Sequence, residues 1–258
     1  HRGPPAPPSQ PGFASCNLFS APGQPWDTVF ATWNCPTLSA PPQGLPKGNV
    51  PQLALWVALD AGETSNGTNV NSEMLQAGFT PGLNYPSTGD FSVSAPWWMW
   101  FPPGPNVNQS GIPVSGELLT FPPIKAGDEV MVQVSYLWLL FDPLSFSLDF
   151  KLGLYGSMSI RNMTQSISTS LLFEAPSGAT GAGASIEWVM ENVNWSNPDL
   201  GVAPVVPKFS PVQFSDVGPA SPTESGATIF DMQDTTLPGH PTAVSVGTGP
   251  NSVTMSFV

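Results

Sequence analysis

Glu187 and Gln76 are the two side chains in this 258-residue sequence whose types and settings best suit a shared reaction. A carboxylate with an ordinary pKa near 4 can take a proton from water in acid and return it. A side-chain amide nearby can donate a hydrogen bond to the oxyanion that develops at a carbonyl under attack. Both residues lie in stretches with the two-residue alternation of a β-strand, opposite an apolar row. Residues 73–80 set Leu75, Ala77 and Phe79 on one face and Met74, Gln76 and Gly78 on the other, a neutral setting for the amide. Residues 185–192 set Ile186, Trp188 and Met190 against Ser185, Glu187, Val189 and Glu191. In residues 52–60 the aliphatic row Leu53, Leu55, Val57 and Leu59 is core, which leaves Trp56, Ala58 and Asp60 on the opposite face.

Other hydrolytic plans fail for want of residues. The two histidines are His1 and His240, too few and too ill-placed for a zinc HExxH site or a Ser-His-Asp triad, and no G-x-S-x-G elbow occurs. No Asp-Thr-Gly or Asp-Ser-Gly tripeptide offers paired aspartates, and no glycine-rich phosphate loop is present. The run from Gly178 to Gly183 precedes a strand, so it reads as a loop. Cys16 and Cys35 are the only cysteines and are expected to close one disulfide in an oxidising compartment. No metal or organic cofactor is implied.

The elements that must carry these residues are strands. Pro 32 and Gly 25 punctuate short apolar segments that show no helical period over a helix length. Forty per cent hydrophobic residues and nine tryptophans set the chain apart from disordered sequences. The expected strands are 52–60, 73–80, 95–101, 129–140, 145–154, 157–162, 166–173, 185–192, 212–217, 228–232, 243–246 and 252–258, an all-β chain and a sandwich. Residues 1–12, rich in proline, read as a flexible leader outside the core, and residues 13–258 as one domain.

Charge narrows the partners. Six Lys and Arg against 18 Asp and Glu give a net charge of −12, which argues against nucleic acid and anionic membrane surfaces. In strong acid the six basic side chains, two histidines and the amino terminus carry little positive charge, so self-repulsion stays low where carboxylates are protonated. No apolar run approaches the ~18 residues of a membrane span. His1 in place of an initiator Met, with no apolar signal segment behind it, is expected of a processed form. Sequons at Asn66, Asn108, Asn162 and Asn194 fit a secreted glycoprotein. A monomer is the default expectation.

Six blocks in order carry a resemblance: Trp56-Val-Ala-Leu-Asp60, Leu75-Gln-Ala-Gly78, Trp97-Trp-Met-Trp-Phe-Pro102, Ile124-Lys-Ala-Gly-Asp128, Arg161-Asn-Met-Thr164 and Ile186-Glu-Trp-Val-Met-Glu191. Together they resemble the glutamic peptidases of the eqolisin type. The resemblance implies a concanavalin-like sandwich of two antiparallel sheets and a secreted acid endopeptidase acting on polypeptides. It places the catalytic residues on Gln76 and Glu187, and Trp56 in the site beside them. Asp60, Trp97, Met99 and Phe101 are expected to line or support the cleft. Where the family pattern has acidic residues and a final tyrosine around the aromatic block, this chain has Ala95, Met99 and Phe101, and Thr80 stands where Asp is frequent. A more apolar cleft and a lower pKa for Glu187 than in relatives are the expectations. The alternative is a lectin-like sandwich that binds carbohydrate on its aromatic face without hydrolysis.

Overall fold

The computed structural model describes residues 9–41, 44, 53–60, 73–83, 91–92, 96–101, 109–111, 121–122, 124–140, 152–192, 205–223 and 226–258. These residues form strands and turns with no helix among them. In chain order the strands are β1 (Ser9–Pro11), β2 (Phe13–Phe19), β3 (Thr28–Asn34), β4 (Leu38–Ser39), β5 (Leu53–Leu59), β6 (Met74–Phe79), β7 (Gly82–Leu83), β8 (Phe91–Ser92), β9 (Pro96–Phe101) and β10 (Gln109–Gly111). They continue with β11 (Glu129–Leu139), β12 (Gly153–Asn162), β13 (Ile167–Glu174), β14 (Ser185–Asn192), β15 (Lys208–Phe209), β16 (Val212–Gly218), β17 (Thr228–Gln233), β18 (Thr242–Gly249) and β19 (Ser252–Phe257).

One long sheet runs β10-β9-β6-β5-β14-β2-β17-β18-β19-β16-β3-β11-β12-β13. It curls over so that its two wings face each other, with β11 packed on β5 and β6 and β3 packed on β5. The wings bury a common core because each strand presents one apolar row inward. Trp33 of β3 stacks on Phe79 of β6, with ring centroids 5.5 Å apart, and meets Phe214 of β16 at 4.8 Å. Trp100 of β9 meets Tyr136 of β11 at 5.5 Å. The rows read from alternation, Leu53-Leu55-Val57-Leu59, Leu75-Ala77-Phe79 and Ile186-Trp188-Met190, all lie in this core. The all-β sandwich is therefore as expected, made from one continuous curled sheet rather than two separate ones.

Several elements differ from the expectation. Ser9–Pro11, placed in the leader by their proline content, form β1 and pair in parallel with β17. Pro11 is accommodated because β1 has a single partner strand, so its missing N–H breaks no ladder bond on the other side. β2 and β3 were not anticipated, yet both lie well inside the sheet. Residues 153–162 form one strand, where a break before residue 157 was expected.

The expected disulfide is absent. Cys16 and Cys35 are both buried free thiols. Cys16 lies in the middle of β2, opposite Trp188. Cys35 follows β3 on the other wing, where its backbone bonds to Gly127 and Asp128. Burial first, and then the charge of Glu187 near Cys16 or Asp128 near Cys35, pushes each thiol up to about 12.

The sequon at Asn162 is also corrected. Its side chain is buried, with Nδ2 donating to Asp128 Oδ2 at 2.8 Å and Oδ1 accepting from Gln165 N at 3.0 Å. A glycan at this nitrogen is incompatible with that packing. Asn66, Asn108 and Asn194 lie outside the described residues.

Candidate active site

Strand register brings the two chemically interesting residues together. In the ladder between β5 and β6, Ala58 is the partner of Gln76; in the ladder between β5 and β14, Ala58 is the partner of Glu187. Gln76 and Glu187 therefore lie in one row across three strands, on one face. Two strand spacings put their backbones roughly 10 Å apart, a gap that two long side chains can close over a single methyl group. The row continues to Met99 of β9 beyond Gln76, and to Asn17 of β2 beyond Glu187.

This face is turned away from the common core and has an apolar cluster of its own. Ala54, Trp56, Ala58 and Val189 are buried in it, with Phe13, Met74 and Trp97 packed against them. Gln76 and Glu187 are 7% and 5% exposed, so any charge on Glu187 is poorly hydrated. Gln76 Nε2 donates to Met99 Sδ at 3.5 Å. A thioether is a weak acceptor, so this donor can be given up to a stronger one at little cost. Gln76 Oε1 is buried without a hydrogen-bond partner.

Both tryptophans of the face have their polar edges fixed. Trp56 Nε1 donates to Glu191 Oε2 at 3.0 Å, tying β5 to β14. Trp97 Nε1 donates to Thr80 Oγ1 at 2.9 Å, so the residue that departs from the family pattern is the one that holds the indole. Gly78 lies beside Trp56 in the ladder, and a Cβ there would run into the Leu55 carbonyl oxygen and Trp56 Cβ. Trp97 and Met99 share the face with Gln76 through the pairing of β9 with β6. Phe101 ends β9 opposite Met74, and its side chain lies outside the described residues, as does Ala95.

Asp60 is not in this face, against expectation. Alternation breaks there because Asp60 has φ 65, the left-handed region that Asp tolerates better than most residues. Its carboxyl turns inward and is fully buried. Tyr136 Oη donates to Oδ2 at 2.9 Å, Gly183 N to Oδ2 at 3.0 Å, and Ala184 N to Oδ1. Burial pushes this carboxyl up; the bonds from Ala184, Tyr136 and Gly183 oppose it, the Glu73 charge adds to it, and the net direction is upward.

Glu73, just before β6, is a second buried carboxylate that sequence reading passed over. It accepts Trp100 Nε1 at 3.1 Å, Thr180 N at 2.7 Å and Thr180 Oγ1 at 2.9 Å. Asp60 and Glu73 thus clamp the glycine-rich loop from both ends, and that loop leads directly into β14 and Glu187. Positive φ values at Gly178, Gly181 and Gly183 let its amides converge on the two carboxylates. The loop is structural, as expected, but its task is to seat the strand that carries Glu187. Among the described residues no cluster of His, Cys, Asp and Glu is arranged to hold a metal.

Residues 17–137 match the sequence pattern of the Peptidase A4 family. No curated protein matches the chain. Among solved structures it is similar to scytalido-glutamic peptidase with a transition state analog inhibitor, at 20% identity and TM-score 0.63 over 96% of this chain and 99% of that one. It is also similar to SCP-B, a member of the Eqolisin family of peptidases in a complex with the tripeptide Ala-Ile-His, at 19% identity, TM-score 0.60 and the same coverage. Aspergilloglutamic peptidase from Aspergillus niger shows 19% identity and TM-score 0.52 over 80% of this chain and 99% of its own. The resemblance read from the six sequence blocks is thus supported twice over: residues 17–137 carry the Peptidase A4 pattern, and the chain as a whole has the fold of the glutamic peptidases.

Proposed function

We propose that this chain is a secreted glutamic endopeptidase that hydrolyses peptide bonds in acid. The observation that carries this reading is the opposition of Gln76 and Glu187 across Ala58. The family pattern reaches Gln76 but stops before Glu187, so it is the register that joins the second residue to the first.

In the proposed reaction Glu187 removes a proton from water as the oxygen attacks the peptide carbonyl. A C–O bond forms and the carbonyl oxygen becomes an oxyanion, which accepts a hydrogen bond from Gln76 Nε2 as that donor leaves Met99. Gln76 Oε1 accepts a hydrogen bond from the attacking water and so helps to aim it. The tetrahedral intermediate collapses, the C–N bond breaks, and Glu187 returns its proton to the leaving amine. An amide donor keeps its proton at every pH, which suits work in acid. Trp56, Trp97 and Met99 form an apolar wall for the substrate. The tripeptide and inhibitor complexes of the similar structures are in keeping with polypeptide as substrate, and the low cationic charge in acid is in keeping with secretion into an acidic medium.

The test is digestion of a denatured protein from about pH 2 to about pH 7, with and without pepstatin, comparing wild type with Glu187→Gln. Pepstatin-insensitive cleavage in acid that is lost in the variant is the expected result. A folded, fully processed wild type that cleaves nothing overturns the reading and turns attention to glycan binding on the aromatic face.

A further inference from the structure

Asn17 is the next member of the row that contains Gln76, Ala58 and Glu187. It stands opposite Glu187 on β2, on the same face, and directly opposed residues of an antiparallel pair have Cβ atoms about 4.5–5.5 Å apart. Its amide is therefore within reach of the Glu187 carboxyl. The side chain is wholly buried. Its Nδ2 donates to Ser15 Oγ at 3.2 Å and to the Thr228 carbonyl at 3.5 Å. These acceptors lie on β2 itself and on β17, the neighbour on the side away from β14. The oxygen arm of the amide diverges from the nitrogen arm, and Oδ1 is buried with no hydrogen-bond partner.

A buried polar atom without a partner is costly and uncommon. Stability alone would favour an apolar or hydroxyl side chain at this position, since the backbone pairing does not need the amide. An acceptor held in place beside a carboxyl has a use only when that carboxyl carries a proton. We propose that Asn17 is a positioning residue for Glu187, its Oδ1 accepting the hydrogen bond of the Glu187 carboxyl whenever that group holds the proton. This rests on the role given to Glu187 above. The proton balance is unchanged: the proton leaves water, rests on Glu187 in contact with Asn17, and passes to the leaving amine as the C–N bond breaks. Gln76 and Asn17 then flank the carboxyl as a donor for the oxyanion on one side and an acceptor for the acid on the other.

The ionisable groups on the strands around Glu187 are few. They are Glu191 on its own strand, Cys16 on β2, Asp60 after β5, Glu73 before β6 and Asp231 on β17; β6 and β9 themselves contribute none. A neutral acceptor that favours the protonated carboxyl suits a cleft with Met99 and Thr80 where the family pattern has acidic residues.

The test is the titration of the Glu187 carboxyl followed by carbon-13 NMR in the full chain, with the resonance assigned by its absence in Glu187→Gln. Loss of the acceptor in Asn17→Ala should lower the midpoint by about one unit, a tenfold change in proton affinity. The near-isosteric Asn17→Asp should raise it, because two carboxyls then compete for one site. A midpoint in Asn17→Ala equal to that of wild type overturns the proposal, and so does an unmoved midpoint in Asn17→Asp if the alanine variant does not fold. The titration is readable whether or not the protein cleaves peptides. Absence of cleavage by wild type would sink the peptidase reading, whereas coincident midpoints in an active enzyme would sink the role of Asn17 alone.

Discussion

Gln76 and Glu187 both face Ala58, one from each neighbouring strand. The strand between them contributes only a methyl group to their row, so the space above Ala58 belongs to the two functional groups. Two ladders of backbone hydrogen bonds, β5 with β6 and β5 with β14, set this geometry, and a slip of one residue in either would send one of the pair into the core. The clamp of Asp60 and Glu73 on the loop before β14 guards that register at its entry.

Ala58→Leu should therefore abolish peptide cleavage while leaving a folded protein. The added branch enters the gap between the pair, and overpacking of this kind costs about 1–3 kcal/mol, which a domain of this size tolerates. Activity is expected to fall by at least about 100-fold with circular dichroism unchanged. An active Ala58→Leu variant would mean that the pair does not meet above this residue.

The proposed oxyanion role makes a separate demand on Gln76. Gln76→Ala should lower kcat by about 100- to 1,000-fold, with a smaller change in KM. Gln76→Glu should retain activity only in strong acid, where the new carboxyl is protonated and can donate as the amide did. A pH–rate profile of Gln76→Glu parallel to that of wild type would remove the oxyanion role.

Alternation gave the site strands because β5, β6 and β14 each carry one purely apolar row, while the opposite rows of β6 and β14 mix polar with apolar residues. Period-two reading fixes faces, but it cannot say which strands are neighbours. That β5 lies between β6 and β14 is a property of the sheet order, so the shared opposition to Ala58 was beyond reach from the residues alone. β2 was legible in principle, since Ala14, Cys16 and Leu18 alternate with Phe13, Ser15, Asn17 and Phe19. The prolines on either side, Pro11 and Pro22, obscured that signal, and Asn17 with it. Asp60 was misplaced for a different reason. Alternation holds only while the backbone stays extended, and its left-handed φ turns the side chain to the opposite side.

Two of the buried aspartates with shifted pKa values, Asp60 and Asp128, give opposite contributions to stability across pH. Burial raises Asp60 in the folded state against the opposing bonds from Ala184, Tyr136 and Gly183, so the fold favours its protonated form. Its contribution is fully present below the usual carboxylate range and is lost as pH rises through the folded value. For Asp128 burial also pushes upward, but the Lys125 amide, Asn162, Gln165 and the Lys125 charge outweigh it and leave the carboxyl below its usual range. That contribution is present above the usual range and is lost as pH falls through the folded value. Melting temperatures should show Asp60→Asn flattening the decline toward neutral pH, and Asp128→Asn costing stability at about pH 5 but little in strong acid. Identical pH dependence of Asp60→Asn and wild type would contradict the burial of an acidic Asp60.

Free, buried thiols predict a chemical result. Neither Cys16 nor Cys35 should react with a maleimide or with Ellman's reagent in the native protein, and both should react in denaturant without prior reduction. Added reductant should leave the melting temperature unchanged. A reductant-dependent fall in melting temperature would restore the disulfide.

Gly78 couples the fold to the face proposed to receive substrate. A Cβ at this position would press on the Leu55 carbonyl and on Trp56 Cβ. These are backbone and near-backbone atoms that cannot swing aside as a side-chain tip can. Gly78→Ala should therefore push β5 from β6, moving Trp56 away from Glu191 and one wall of the cleft out of place. The expected effects are a loss of about 1–3 kcal/mol in stability and a rise in KM. Trp56→Ala should also raise KM, by removing the same wall. Because the two changes act on one contact, the double variant should be less impaired than the product of the single effects, a coupling that residues acting independently would not show. Multiplicative effects in the double-mutant cycle would show that Gly78 is needed for the sheet alone and not for the placement of Trp56.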